Sequence, residues 1–192
     1  MGLTQNIRGV YPYFRYAQTD VLFLGADLST SASLTTKLKI KQNTSLIHVS
    51  NRNGSGNMPF IPPNRFDWAI RFEEPKDFLL KNFFFESKIR FTAKQGNAPR
   101  VITPTQIITA KEQGVDLFAT DKSNFDFMPA PPAYWLLNMF TGFSVKSGES
   151  QINFSMAVEN LLNISYREYT NRFRYYADDR GRNFIFSVKI DF

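Results

Sequence analysis

The residues Phe184-Ile185-Phe186-Ser187-Val188-Lys189-Ile190-Asp191-Phe192 carry an apolar side chain at every second position: Phe184, Phe186, Val188, Ile190 and Phe192. Successive side chains of a strand point to opposite faces, so this segment reads as a strand with one apolar and one wet face. Chain ends ordinarily fray and are polar. An apolar strand ending on an aromatic ring therefore requires a neighbouring strand and an apolar medium.

The same period recurs upstream, while helical periodicity is weak throughout. Phe66, Trp68, Ile70 and Phe72 alternate with Asp67, Arg71 and Glu73. Phe83, Phe85, Ile89, Phe91 and Ala93 oppose Glu86, Lys88, Arg90 and Lys94. Trp135, Leu137, Met139, Phe143 and Val145 face away from Asn138; Ile152, Phe154, Met156 and Val158 face away from Asn153, Ser155 and Glu159. Leu22, Leu24, Ala26 and Leu28 keep step within 13–31, and Leu38, Ile40, Leu46 and Ile47 mark a further strand within 38–51. The expected fold is all-β, an antiparallel meander of about seven strands, rich in the β-branched and aromatic residues that strands favour.

Aromatics make up 16% of the chain while mean hydropathy is only -0.30, as alternation demands. A membrane barrel and a soluble β-sandwich share that composition with the faces exchanged. Connection lengths separate them. On the side where the chain ends the turns are short, at 33–36, 74–82 and 146–150. On the other side the loops are long, near 52–64, 95–132 and 163–182, with Asn53-Gly54-Ser55-Gly56-Asn57 as a turn-forming tip and Pro62-Pro63 and Pro129-Ala130-Pro131-Pro132 leading back into strands. Prolines suit strand starts because they cannot donate to a ladder. Short turns on one rim and long loops on the other describe an outer-membrane barrel. The stretch 107–127 reads equally as a hairpin or a short helix.

Seven is too few strands to close such a barrel, and an open edge is not tolerated in lipid. The expectation is a piece of a larger barrel: residues 1–12 as an N-terminal lead-in, residues 13–192 as barrel wall. No apolar run reaches the length of a membrane-crossing helix, and the first ten residues lack the pattern of a signal peptide.

Several function classes are disfavoured. With no cysteine there is neither a disulfide framework nor a thiolate metal site. His48 is the single histidine, a poor basis for metal ligation. Glu73-Glu74 and Asp178-Asp179 read as solvated turns rather than acid/base couples, and no phosphate-cradling loop or nucleophile elbow occurs. No enzyme activity and no cofactor are expected. The net charge of +6 is spread along the chain rather than blocked, which argues against nucleic acid and leaves a solvated surface or contact with anionic headgroups.

Asn160-Leu161-Leu162-Asn163 with Tyr166, followed by Gly181-Arg182-Asn183-Phe184 and a last strand ending at Phe192, resembles the C-terminal end of TonB-dependent outer-membrane receptors. Gln18 with Gly25-Ala26-Asp27 resembles an earlier strand of that family, with Asp27 where Glu is usual. Ile61-Pro62-Pro63-Asn64-Arg65 resembles a loop end, and Pro132-Ala133-Tyr134 with Asn138 a strand start. The resemblance spans roughly residues 13–192 and is densest after Pro131. It implies a ~22-stranded transmembrane β-barrel, an N-terminal plug, drive from the inner-membrane TonB complex, and uptake of a scarce nutrient such as an iron chelate, haem or metal complex. Plug, TonB box and signal peptide are not legible here, so the chain is expected to supply about the last seven strands, as a fragment, a split frame or an inactive pseudogene product. The implied partners are outer-membrane lipid, the barrel-assembly machinery and the remaining receptor segment with its plug; the implied location is the Gram-negative outer membrane.

Two sets of residues stand out as candidate sites. Phe184, Phe186, Val188, Ile190 and Phe192 would form the outer-membrane assembly signal that the resemblance implies. Arg167, Arg172, Arg174, Tyr175 and Tyr176 form an aromatic and basic run suited either to capture of an anionic chelate or to packing at the membrane rim. A soluble β-rich ligand-binding domain is the alternative from another class.

Overall fold

The computed structural model describes residues 2–6, 9–13, 18–52, 54, 56–74 and 81–191. Phe192, the last residue of the expected assembly signal, and Asn53 and Ser55 of the expected loop tip lie outside them.

Seven strands form one antiparallel sheet in chain order. They are β3 (Val21–Ser33), β4 (Leu38–Asn51), β5 (Arg65–Glu73), β6 (Lys81–Thr92), β9 (Tyr134–Ser147), β10 (Ser150–Glu159) and β11 (Asn183–Asp191). Ahead of the sheet a separate hairpin forms, β1 (Gly2–Asn6) paired with β2 (Gly9–Tyr13). The sheet is open: among the described residues β3 and β11 each have one partner and the sheet does not close on itself.

Register makes the sheet two-faced. Phe184, Phe186, Val188 and Ile190 align with Val158, Met156, Phe154 and Ile152, and these with Met139, Thr141, Phe143 and Val145. The face continues through Leu137, Ile89, Trp68 and Phe66, crosses β4 at the polar Gln42 and Thr44, and reaches Leu28 and Leu24 in β3. Large apolar side chains along it stay exposed, Trp135 at 53% and Phe186 at 72%. Stacked rings tie neighbouring strands, with Trp68 and Trp135 centroids 6.0 Å apart and Phe91 and Trp135 4.5 Å apart.

The opposite face carries ion pairs. Lys39 Nζ lies 2.6 Å from Glu73, Arg71 Nε 2.7 Å from the same carboxylate, and Arg71 Nη1 3.3 Å from Glu86. Higher up, Arg90 Nε is 2.7 Å and Lys88 Nζ 3.6 Å from Asp67. Such half-exposed pairs contribute little singly, but as cross-strand neighbours they fix the register of β4, β5 and β6.

A bulge at Lys81/Phe84, with Asn82 at φ 52°, shifts the start of β6 against β9. The regular register resumes at Phe84, which alternation with Glu86 places on the charged face, where Arg71 sits 4.0 Å above its ring. Gly142 is required there: a Cβ would approach Phe84 Cε1 to 2.6 Å and the Phe154 carbonyl oxygen to 2.9 Å.

Turns at one rim are tight, residues 34–37 and the pair Gly148-Glu149, while the loops 52–64, 93–133 and 160–182 all leave the other rim. The middle loop holds a helix, α1 (Pro104–Glu112), and a two-residue parallel pair, β7 (Arg100–Val101) with β8 (Phe125–Asp126). Thr103 caps α1: Gln106 N–H donates to Thr103 Oγ1 at 3.3 Å and Thr103 N–H to Gln106 Oε1 at 2.8 Å.

Candidate functional site

The long-loop rim is where the chain builds something other than sheet. Phe125, Phe127 and Ile102 form a buried apolar cluster with Ile107, Leu117, Phe118 and Tyr175 against it. Asp126 lies between the two phenylalanines, 1% exposed. A carboxylate so buried requires a charged partner. Arg174, from the last loop and equally buried, supplies it: Nη2 donates to Asp126 Oδ2, while Nη1 donates to the Pro129 carbonyl at 3.2 Å. Tyr175 O–H donates to Asp126 Oδ1 at 2.7 Å. The Arg174 guanidinium also sits 4.6 Å from the Tyr175 ring centre, 4.8 Å from Tyr169 and 5.9 Å from Phe60. Phe60 belongs to the first long loop and adopts φ 61°, a conformation unfavourable for a bulky residue. One arginine thus draws residues of all three long loops to a single point.

Burial raises the phenol pKa values at this point. Tyr169 is pushed up to about 12, and Tyr175 further, by burial first and then by its hydrogen bond to Asp126. A phenol with a raised folded pKa keeps its proton longer in the fold than in the unfolded chain. Stability is therefore full below pH ~10 and falls as pH rises beyond the free phenol value. Tyrosine absorbance at 295 nm during an alkaline titration is expected to show the Tyr175 ring ionising last, as the loops loosen.

The segment 160–182 is held by its own polar side chains. Asn160 and Asn163 take left-handed conformations, φ 48° and 54°, which asparagine tolerates. Asn160 Nδ2 donates to the Ile164 carbonyl at 2.8 Å, Ile164 N–H donates back to Asn160 Oδ1 at 2.9 Å, and Asn160 N–H donates to Asn138 Oδ1 at 2.8 Å. Arg182 N–H donates to Asn163 Oδ1 at 2.9 Å, and a Cβ on Gly181 would press against that oxygen at 2.9 Å. Tyr166 stacks on Tyr134 at 4.7 Å. In the first loop Gln95 Nε2 donates to the carbonyls of Ile61 and Pro62, both at 3.0 Å, and Asn64 Oδ1 accepts from Ile47 N–H at 3.0 Å. The motif residues singled out in the sequence therefore satisfy backbone groups where strands stop. Asn160→Ala removes the two side-chain bonds to Ile164 at a 3% exposed site and is expected to cost about 1–3 kcal/mol. A thermal melt of the variant checks this.

Of the candidate capture residues, Arg174 is buried in its ion pair and Tyr175 is half-buried beside it. Arg167 Nε contacts Asp178 Oδ1 at 2.5 Å and its Nη1 donates to the Arg174 carbonyl at 2.7 Å. Arg172 and Tyr176 are exposed. The Asp178 carboxyl is held below its ordinary value by Ser165 and then Arg167. Between 128–135 and 162–178 opens a cleft of about 550 Å³, lined by Pro129, Pro131, Trp135, Ile164, Tyr166 and Arg167. Phe184, Phe186, Val188 and Ile190 lie exposed along edge strand β11. Asp126 and Phe60 escaped the sequence reading; an acid flanked by Phe125 and Phe127 was the one available signal. Among the described residues no group of His, Asp or Glu could hold a metal ion, and no helix is long and apolar enough to cross a membrane.

No protein-family model matches the sequence, and no curated protein matches it. Among solved structures the fold is similar to one described as copper transporter OprC, at a TM-score of 0.67 and 18% identity. The match covers 99% of this chain and 26% of that one, so the chain spans about a quarter of the length of the protein it resembles. The likeness establishes an antiparallel β-sheet fold of the kind found in part of that transporter.

Proposed function

We propose that the chain is a wall segment of a TonB-dependent outer-membrane transporter, the C-terminal part of its barrel. Its cargo would be a scarce nutrient such as an iron chelate, haem or metal complex. The observation that carries this reading is the two-faced sheet: a mainly apolar and largely exposed face across seven strands, interrupted by Gln42, Thr44 and Thr141, opposed by a ladder of ion pairs. Lipid outside and a polar lumen inside demand that arrangement. The loops at one rim and the similarity to a copper transporter support it.

In this reading the long loops meet the ligand outside the cell, and the lumen face meets a plug that moves under force from the inner-membrane TonB complex. Phe184, Phe186, Val188 and Ile190, with Phe192, serve as the signal to the barrel-assembly machinery. Arg172 and Tyr176 are the exposed members of the capture set, and Arg174 positions the loop that presents them.

The open sheet favours a second reading for the chain by itself, an inactive fragment or a soluble β-rich ligand-binding domain. Bare edges at β3 and β11 cannot persist in lipid, so transport needs the further strands of a complete wall. Membrane fractionation separates the readings. Recovery with the outer membrane, extractable only by detergent, is expected; a chain folded in the soluble fraction without detergent would overturn the wall reading.

A further inference from the structure

At the long-loop rim β4 outruns its neighbour. β5 begins at Arg65, opposite Ser45, so Leu46 to Asn51 rise above it with no β5 partner. The turn 94–97 at the end of β6 leans across this gap, and Asn97 Nδ2 lies 2.9 Å from His48 Nδ1. The result is a notch of about 560 Å³.

Its lining is divided by chemistry. Leu24, Ala26 and Leu46 are its floor on the apolar face, where Ala26 pairs with Leu46 and Leu24 with His48. Next to them stand His48 and Lys94, both exposed, with the Asn97 amide beside them, while the Gln95 amide is engaged by the Ile61 and Pro62 carbonyls. The Asn97 amide donates to His48 Nδ1, which leaves the ring proton on Nε2 as a donor. Lys94 has no ion-pair partner among the described residues. No aspartate or glutamate lines the notch.

A floor continuous with the apolar row fits an acyl chain. A roof of cationic and N–H donors with no carboxylate fits an anion. We infer that this notch is a binding site for a phosphate-bearing lipid, its acyl chain on Leu24, Ala26 and Leu46 and its phosphate on His48 and Lys94. The occupant is a lipid rather than free phosphate because half of the lining offers nothing to a bare anion. The inference rests on the membrane-wall reading and gives the lone histidine a role that metal ligation does not.

The test uses the full chain refolded in detergent micelles, with native mass spectrometry counting bound lipid. Phosphatidylglycerol and phosphatidylcholine of identical acyl chains are offered separately. Preferential retention of phosphatidylglycerol is expected. His48→Gln together with Lys94→Gln should lower that retention about five-fold, the worth of one cation at an anionic lipid surface, and leave phosphatidylcholine unchanged. Both side chains are exposed, and circular dichroism verifies that the sheet persists. Equal retention of the two lipids, or retention indifferent to the double substitution, overturns the notch while leaving the wall reading intact. Displacement of the lipid by millimolar inorganic phosphate alone, with Leu46→Ser without effect, reduces the notch to a plain anion site and overturns the proposal. A chain that retains neither lipid and folds without detergent fails at the wall reading itself.

Discussion

Arg174→Ala is expected to release the long loops from one another while the sheet remains folded. The substitution leaves the Asp126 carboxylate 1% exposed and without its charged partner. Breaking a buried pair from one side typically costs about 3–5 kcal/mol. It also empties the space between the rings of Phe60, Tyr169 and Tyr175, so a strained Phe60 loses part of what holds it. Arg174→Lys is expected to fall short of rescue, because one ammonium cannot reproduce a planar fork serving both Asp126 and the Pro129 carbonyl. Arg174→Met combined with Asp126→Leu should recover much of the loss, since neither charge is then stranded. Limited proteolysis reads the outcome: new cleavage within 95–132 and 163–182 for the alanine variant, with β9 and β10 still protected. Simultaneous loss of sheet and loops would mean that the arginine supports the whole domain instead of the rim.

The second large effect contrasts neighbouring residues of β11. Val188 lies in the apolar row opposite Phe154, whereas Ser187 faces the polar side opposite Ser155. If the apolar row meets lipid, Val188→Arg near the membrane centre costs about 2–4 kcal/mol, and insertion falls steeply. Ser187→Arg adds a cation to a face already carrying Lys189 and Asp191 and is expected to insert nearly as the parent. Heat-resistant folded mobility on a gel after refolding into lipid vesicles measures both. Equal tolerance of the two arginines would remove the argument for a lipid-facing wall, because β11 is exposed on both sides in water.

Much of this architecture was legible because alternation is written locally. Phe66, Trp68, Ile70 and Phe72 name the apolar face of β5 before any neighbour is known, and Gly148 within Ser147-Gly148-Glu149-Ser150 marks a turn, realised at φ 62°. The bulge in β6 was not legible. Alternation from Glu86 already puts Phe84 on the polar side between Phe83 and Phe85, but it carries no sign of the irregular pairing at Lys81 or of the room that Gly142 leaves for the ring. Helix α1 was half-legible: Thr103-Pro104-Thr105-Gln106 spells a capped start, but Ile107, Ile108 and Ala110 lack a clear helical stripe. The site was least legible. Arg174 sits in a run of aromatic and basic residues typical of a surface, and its partner Asp126 is 48 positions away. A contact at that distance leaves no trace in local pattern.

The order of strands in the sheet matches their order along the chain, even across the long excursion between β6 and β9. Every hairpin can therefore be added or removed at an end without rethreading what is already paired. Such a sheet can be assembled one hairpin at a time, each new edge templating the next. The same property lets a wall lengthen by duplication of a hairpin, or be divided between polypeptides at any turn and rejoined along a single seam.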